Sequence, residues 1–250
     1  MAKQVNDKKK LYKNIRAACE SGWDFSSRWY KQNQDFSSIH TTEIIPVDLN
    51  CLLFNLEETI AEAYELSNYT SLSEKYQVAA NRRKRAINKY CWNKDENFYF
   101  DYDYVEGKQK QSLTLAAAFP LFFKIANADQ ADGVAKYLQK HFLYPGGLQT
   151  TIVTTGQQWD APNGWAPLQY IAVKGLMNYS YNDLAKTIAD RWTAVNEKVF
   201  KSSGKMLEKY NVENAQLKSG GGEYPTQDGF GWSNGVYLKF YQLFKTKSSF

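Results

Sequence analysis

The chain is poor in residues that bind metals or build disulfides: two histidines, His40 and His141, and three cysteines, Cys19, Cys51 and Cys91, are scattered over 250 residues. No C-x-x-C pair occurs, and neither histidine has a His, Cys or paired carboxylate at metal-ligand spacing along the chain. A disulfide framework, a structural zinc site and a zinc hydrolase are therefore disfavoured, and the cysteines read as buried thiols. No G-x-S-x-G elbow supports a Ser-His-Asp triad. Long apolar runs are missing as well, since no stretch approaches the roughly 18 residues of a membrane span and Met1 to Lys10 has no apolar export segment. As written, the start implies a soluble, cytoplasmic chain with no membrane partner. One-signed charge is also lacking: 31 Lys plus Arg against 26 Asp plus Glu leave +5, too mild to imply a polyanion. The basic runs Lys8-Lys9-Lys10 and Arg82-Arg83-Lys84-Arg85 fit solvated helix faces better than phosphate contacts, so no nucleic-acid partner is expected.

What the chain has in excess is rings: 7 Trp, 18 Tyr and 14 Phe. Rings fill cores, and they also stack on the flat apolar faces of sugars and bases, so their placement has to decide between the two.

Most of the chain has the period of amphipathic helices. From Val47, Leu49, Leu52, Leu53, Leu56 and Ile60 share one face. Ser71 and Glu74 form a capping-box signal for a second helix reaching about Trp92, which reads with the first as a hairpin. Asn97 to Tyr104 alternates aromatic and acidic residues before Glu106-Gly107, as in a small β-hairpin. Helical pattern resumes at Ser112, where Pro120 should kink or end the segment, and again from Asp129 through Phe142. Further helices are expected over 167–179, over 181–200 with Leu184, Ile188, Trp192, Val195 and Val199 on a stripe, and over 233–244. About eight helices in hairpin-like pairs make an all-α array, with no βαβ alternation.

Three stretches break this period and concentrate Trp, Gly and carboxylates: Glu20 to Trp29, Pro145 to Trp165, and Ser219 to Trp232. Glycine permits close backbone approach, rings offer flat faces, and carboxylates supply hydrogen bonds and proton chemistry, a combination suited to carbohydrate. Tight turns packed by tryptophan, with carboxylates as helix caps, would use the same residues.

The block Gln158-Trp159-Asp160-Ala161-Pro162-Asn163-Gly164-Trp165-Ala166-Pro167 resembles the Q-W-D-x-P-x-G-W-A-P signature of the inverting trehalases, glycoside hydrolase family 37. Ser21-Gly22-Trp23-Asp24-Phe25-Ser26-Ser27-Arg28-Trp29 and Gly220-Gly221-Gly222-Glu223-Tyr224-Pro225 resemble two more blocks of that family, in the same order. The resemblance spans about Leu11 to Leu243. It implies an (α/α)6 toroid, hydrolysis of α,α-trehalose to two glucose molecules, and no organic cofactor or metal. It makes Asp24 the general acid and Glu223 the general base, with Gly22, Gln158, Trp159, Asp160, Asn163 and Trp165 as candidates for the sugar site. An inverting pair needs carboxyls about 6.5–9.5 Å apart, to admit a water. Trp23 and Phe25 should raise Asp24 by desolvation, and Glu223, in a more open loop, should stay ionised.

The family's P-G-G-R-F block, its following W-D and several sugar-binding arginines find no counterpart; Pro145-Gly146-Gly147 is followed by Leu148. The resemblance therefore implies the C-terminal part of a trehalase domain, an incomplete toroid over 1–250 whose partner is a missing N-terminal half. That half could carry an export signal, which keeps a periplasmic parent open. The alternative function is a catalytically silent remnant or a sugar-binding subunit dependent on that partner. An opened ring would expose apolar faces.

Overall fold

A computed structural model describes residues 7–31, 35–214, 216–217 and 221–245. Ser219 and Gly220 of the third loop block lie outside the described residues. Eight α-helices are found among the described residues: α1 (Lys8–Glu20), α2 (Val47–Leu66), α3 (Thr70–Tyr90), α4 (Phe119–Phe122), α5 (Ala128–Tyr137), α6 (Ala166–Asn178), α7 (Asn182–Ser203) and α8 (Gly231–Phe244). They pack as a series, α3 on α2, α2 on α4, α4 on α6, α6 on α7, and α8 on both α6 and α7. This all-α series is the expected helical array, a partial toroid.

Helix α1 escaped the pattern reading, because its Lys-rich start hides a narrow buried edge of Leu11, Asn14 and Ala18. Asp7 caps it, accepting a hydrogen bond from the Lys10 amide. Cys51 and Cys91 are buried free thiols, but Cys19 is exposed on the outer side of α1. In α2 the face turned inward is Val47, Asp48, Cys51, Phe54 and Ala61, while Leu49, Leu52 and Leu56 of the leucine stripe point outward. The Ser71–Glu74 capping box does not form; Tyr69 stands at the N-cap with no side-chain hydrogen bond, and α3 ends at Tyr90. A capping box does close α5, between Asn127 and Gln130. Pro120 sits in the first turn of α4, where its missing N–H costs nothing, so it begins a helix.

Among the described residues, nine strands of two or three residues brace the loops. β1 (Ile44–Ile45), β4 (Tyr102–Asp103) and β5 (Lys108–Gln109) form one small sheet, and β2 (Trp92–Asn93) pairs with β3 (Phe98–Tyr99). The segment read as one hairpin over 97–104 is thus divided between two sheets, since Phe98–Tyr99 pairs with Trp92–Asn93, just past α3, and Tyr102–Asp103 pairs with both Ile44–Ile45 and Lys108–Gln109. β6 (Leu143–Tyr144) pairs with β7 (Gly147–Leu148). β8 (Asn163–Trp165) pairs antiparallel with β9 (Lys209–Asn211), matching Asn163 with Asn211 and Trp165 with Lys209. That last ladder ties the second Trp-rich loop to the approach of the third.

Candidate active site

The loop after α1 is turned by Gly22, whose φ of +80° suits glycine. The Ser21 hydroxyl donates to the Ala18 carbonyl and accepts from the Trp23 amide. From there tryptophans stack across all three loops. Trp23 lies on Trp159 with ring centroids 5.4 Å apart, Trp159 lies on Trp165 at 3.9 Å and 2° between planes, and Trp165 meets the edge of Trp232 at 5.8 Å. All three residues of the stack proper are buried. Such contacts add roughly 0.5–1.5 kcal/mol each beyond burial, and here they join segments more than a hundred residues apart.

Beneath the stack, Arg28 is fully buried and bidentate to two carboxylates at once: Asp48 at 2.7 and 2.7 Å, and Asp101 at 2.7 and 2.9 Å. Its guanidinium also sits 4.5 Å from both the Trp23 and Trp29 rings. This clamp fixes the first loop to the start of α2 and to the residue before β4, and its two partners lie outside the motif blocks.

Asp160 has no exposure, and both its oxygens are occupied by protein donors. Oδ1 accepts from the hydroxyls of Ser26 (2.8 Å), Ser27 (2.9 Å) and Thr151 (3.0 Å), and Oδ2 accepts from the Ser27 amide (2.8 Å) and the Thr155 hydroxyl. Burial nevertheless pushes its carboxyl upward, against these hydrogen bonds. The geometry makes Asp160 the clasp between the first two loops, with both oxygens taken by protein donors.

Gln158, Asn163 and Trp165 are buried around one carbonyl: Asn163 Nδ2 and Trp165 Nε1 donate to the Gln158 oxygen at 3.2 and 3.0 Å. Asn163 Nδ2 also reaches the Gly221 carbonyl at 3.4 Å. The Gln158 side-chain amide donates to the Asp24 carbonyl, and Trp159 N donates to Phe25 O at 3.1 Å. Gly222, at φ +145°, passes so close to Gln158 that an added Cβ would stand 2.7 Å from its Cβ. Gln158 therefore touches both carboxyl-bearing loops.

Asp24 is half-buried. Burial raises its carboxyl and the charge of Glu208 raises it further, while its own backbone, a hydrogen bond from Trp159 and the charge of Lys209 pull the other way. Glu223 is exposed as a residue, yet its carboxyl is also raised, first by partial burial and then by the charge of Asp24, against hydrogen bonding from its own backbone and that of Gln158. The expected split of environments is absent, because the third loop folds back onto Gln158 and desolvates Glu223 as well.

Motif reading missed Glu208 and Lys209. Both are buried, with Lys209 Nζ 2.9 Å from Glu208 Oε2, and Tyr224 next to Glu223 donates its hydroxyl to Glu208 Oε1 at 2.7 Å. Lys209 Nζ also stands 5.3 Å from the Trp165 ring and 4.9 Å from that of Tyr224. The available signal was an adjacent acid and base inside the apolar run Met206-Leu207-Glu208-Lys209-Tyr210, where charge has to be paired to be buried.

Among the described residues, one group could hold a metal by type. His40 Nδ1 lies 3.5 Å from Glu43 Oε2 and 3.4 Å from Asp103 Oδ2, so carboxylates do surround this histidine, Glu43 at i+3 and Asp103 brought in by the β1–β4 pairing. Lysines already occupy it: Lys10 and Lys31 pair with Glu43, and Lys110 Nζ is 2.9 Å from His40 Nε2. It is a charge network beside the fold's small sheet. The basic run in α3 is likewise structural in part, Arg83 pairing with Glu57 of α2 at 2.7 and 2.9 Å.

Among known proteins, the trehalase family model matches residues 1–245. The periplasmic trehalase of Salmonella agona is 48% identical over 233 residues, 93% of this chain and 41% of its own length, and the putative periplasmic trehalase of Salmonella typhi matches equally. The neutral trehalase Nth1 of Saccharomyces cerevisiae superposes with a TM-score of 0.79 at 25% identity, over 96% of this chain and 44% of the yeast chain. A mannosylglycerate hydrolase of Thermus thermophilus, at 19% identity and TM-score 0.59, shares the fold. The chain thus spans about two-fifths of the length of the relatives it matches. With the motif blocks, the loop geometry and the match over nearly every residue in agreement, the chain belongs to the trehalase family.

Proposed function

We propose that this chain carries the acid–base end of a glycoside hydrolase that converts α,α-trehalose to two glucose molecules with inversion. The observation supporting this most directly is that Asp24 and Glu223, on loops at opposite ends of the sequence, are bridged by Gln158, whose side-chain amide donates to the Asp24 carbonyl and whose backbone reaches the Glu223 carboxyl, and that the charge of Asp24 acts on Glu223. In the reaction, the protonated Asp24 carboxyl gives its proton to the bridging oxygen as the C1–O bond breaks. A base on the opposite ring face takes a proton from water as the water oxygen bonds to C1, giving one β- and one α-glucose. The raised Asp24 carboxyl suits the acid, since it stays protonated to higher pH. Trp159 holds that carboxyl, while Gln158, Asn163 and Trp165 fix the loops around it and Gly22 turns the chain into it. Asp160 acts through these loops as a positioning residue.

Glu223 is the base implied by the resemblance, and a second reading has its own support: Glu208 is the carboxylate whose charge acts on Asp24, and it is already ion-paired to Lys209. A base has to be ionised, and the raised Glu223 carboxyl works against that. The alternative is a catalytically silent remnant or a sugar-binding subunit requiring a partner, and the match spans 41% of the length of the Salmonella relatives. Their names also point to the periplasm as compartment, in place of the cytoplasmic reading.

The test is glucose release from trehalose by the chain alone and joined to the rest of a relative, with Asp24→Asn, Glu223→Gln and Glu208→Gln beside it. Asp24→Asn should lose at least a hundredfold in kcat. The true base shows the same loss at unchanged KM, and a sugar-binding carboxylate shows mainly a raised KM. Release of two α-glucose molecules in the first turnovers, followed by NMR, would sink the inverting mechanism.

A further inference from the structure

Lys209 is a lysine with no exposure, a place where lysine is rare unless paired. Its ammonium stands 2.9 Å from Glu208 Oε2 and is walled by two rings, Trp165 at 5.3 Å and Tyr224 at 4.9 Å. Burying an ion pair costs the hydration of both partners, and packed apolar side chains of similar volume serve a fold at least as well. Stability is therefore a poor reason for a charge at this position. The cage joins the later two of the three loops: the β8–β9 ladder matches Trp165 with Lys209, and Tyr224 of the third loop donates to Glu208 Oε1 at 2.7 Å. The Glu208 backbone is held on both sides, its amide donating to Gln227 O and its carbonyl accepting from Trp232 Nε1, each at 2.9 Å. Each oxygen of the Glu208 carboxylate thus has a fixed donor, one of them a cation that aromatic faces hold in place.

We infer that Lys209 is a positioning residue: its caged charge fixes the Glu208 carboxylate and the Tyr224 end of the third loop to one point, and serves as the counter-charge for the carboxyls of the site. Burial raises both Asp24 and Glu223, and the charge of Lys209 pulls both back, while that of Glu208 pushes Asp24 further up. The other titratable groups around them, Cys19 at the end of α1, Tyr30 and Tyr224, are raised by burial and stay uncharged on the acid side of neutrality. Replacing Lys209 by a neutral side chain of similar volume therefore leaves three carboxyls with less positive charge among them, and each keeps its proton to higher pH. This inference rests on the proposed reading of the site, but not on which of Glu208 and Glu223 is the base.

The test follows the titration of Asp24 and Glu223 by carbon NMR in the chain itself, labelled at its side-chain carboxyls, with Asp24→Asn and Glu223→Gln to assign the signals. Lys209→Met should make both carboxyls hold their protons at least about threefold more tightly, so both titrate at higher pH. Lys205→Gln, which breaks an exposed pair with Asp228 on the same approach, should move neither. Unchanged titration in a folded Lys209→Met chain overturns the inference. Where that variant does not fold because Glu208 is left buried alone, Lys209→Met/Glu208→Gln removes the pair as a whole; Glu223, which answers to the charge of Lys209, should still shift, and its staying put overturns the inference. In the chain joined to the rest of a relative, Lys209→Met should move the whole pH profile of glucose release to higher pH, lowering kcat near about pH 5 at least threefold at little-changed KM, since the base is ionised later and the acid keeps its proton longer. A loss uniform over pH with a raised KM would make Lys209 a mere prop and overturn the inference. No glucose release from the joined parent would sink the reaction, and the titration would still decide the role of Lys209.

Discussion

The clasp beneath the three loops and the outer face of α2 invert ordinary globular practice in opposite ways. In the clasp, charged groups are buried, yet almost every polar atom is matched: Arg28 by two carboxylates, Asp160 by five donors. On α2, apolar groups stand in water with nothing in the described residues to cover them. The first region is satisfied among the described residues, and the second has no cover among them. Energy follows the same division, since removing a member of the clasp strands buried charge, whereas changing the outer leucines removes contacts the chain does not make.

The largest expected effect is therefore at Arg28. Arg28→Ala leaves Asp48 and Asp101 buried without their cation, which should cost about 3–5 kcal/mol and is read as the urea midpoint. Asp160→Asn comes next: the carboxamide cannot accept from donors on both sides, so a donor such as the Ser27 amide goes unpaired, at a cost of about 2 kcal/mol. An unchanged midpoint in either variant would mean the clasp is not the structural unit described. A smaller, pH-dependent effect belongs to His40, which burial, with help from Lys110, lowers to about 4. Its folded-state pKa lies below the unfolded value near 6.5, so its contribution is present above 6.5 and lost as pH falls toward 4. The melting temperature should fall over that window, and His40→Gln should flatten the fall. Smallest of all, Leu49→Gln/Leu52→Gln/Leu56→Gln should change the midpoint of the isolated chain by about 0.5 kcal/mol or less while reducing its self-association in light scattering. A large loss there would show the leucines to be core.

The helices were legible because burial imposes a period of 3.6 on any sequence that packs that way. Val195 and Val199 on α7 are buried as their stripe requires. The α2 stripe was equally legible as a stripe, but periodicity says that a face is apolar and not what faces it; inward and outward differ only by which neighbours arrive. Asp160 shows the same limit at the site. A motif places it beside Trp159 without distinguishing a carboxylate that meets a sugar from one that meets two serines and two threonines.

By itself, the sequence determined the helical class, the loops that carry the chemistry and the family, because residue period and a ten-residue block are local properties of the chain. Only the tertiary structure decided that Asp160 is a clasp, that Glu208 and Lys209 stand beside Asp24, that Glu223 is desolvated along with it, and that α2 turns its leucines outward. Each of those depends on which distant segments meet, since burial and electrostatics are set by neighbours in space.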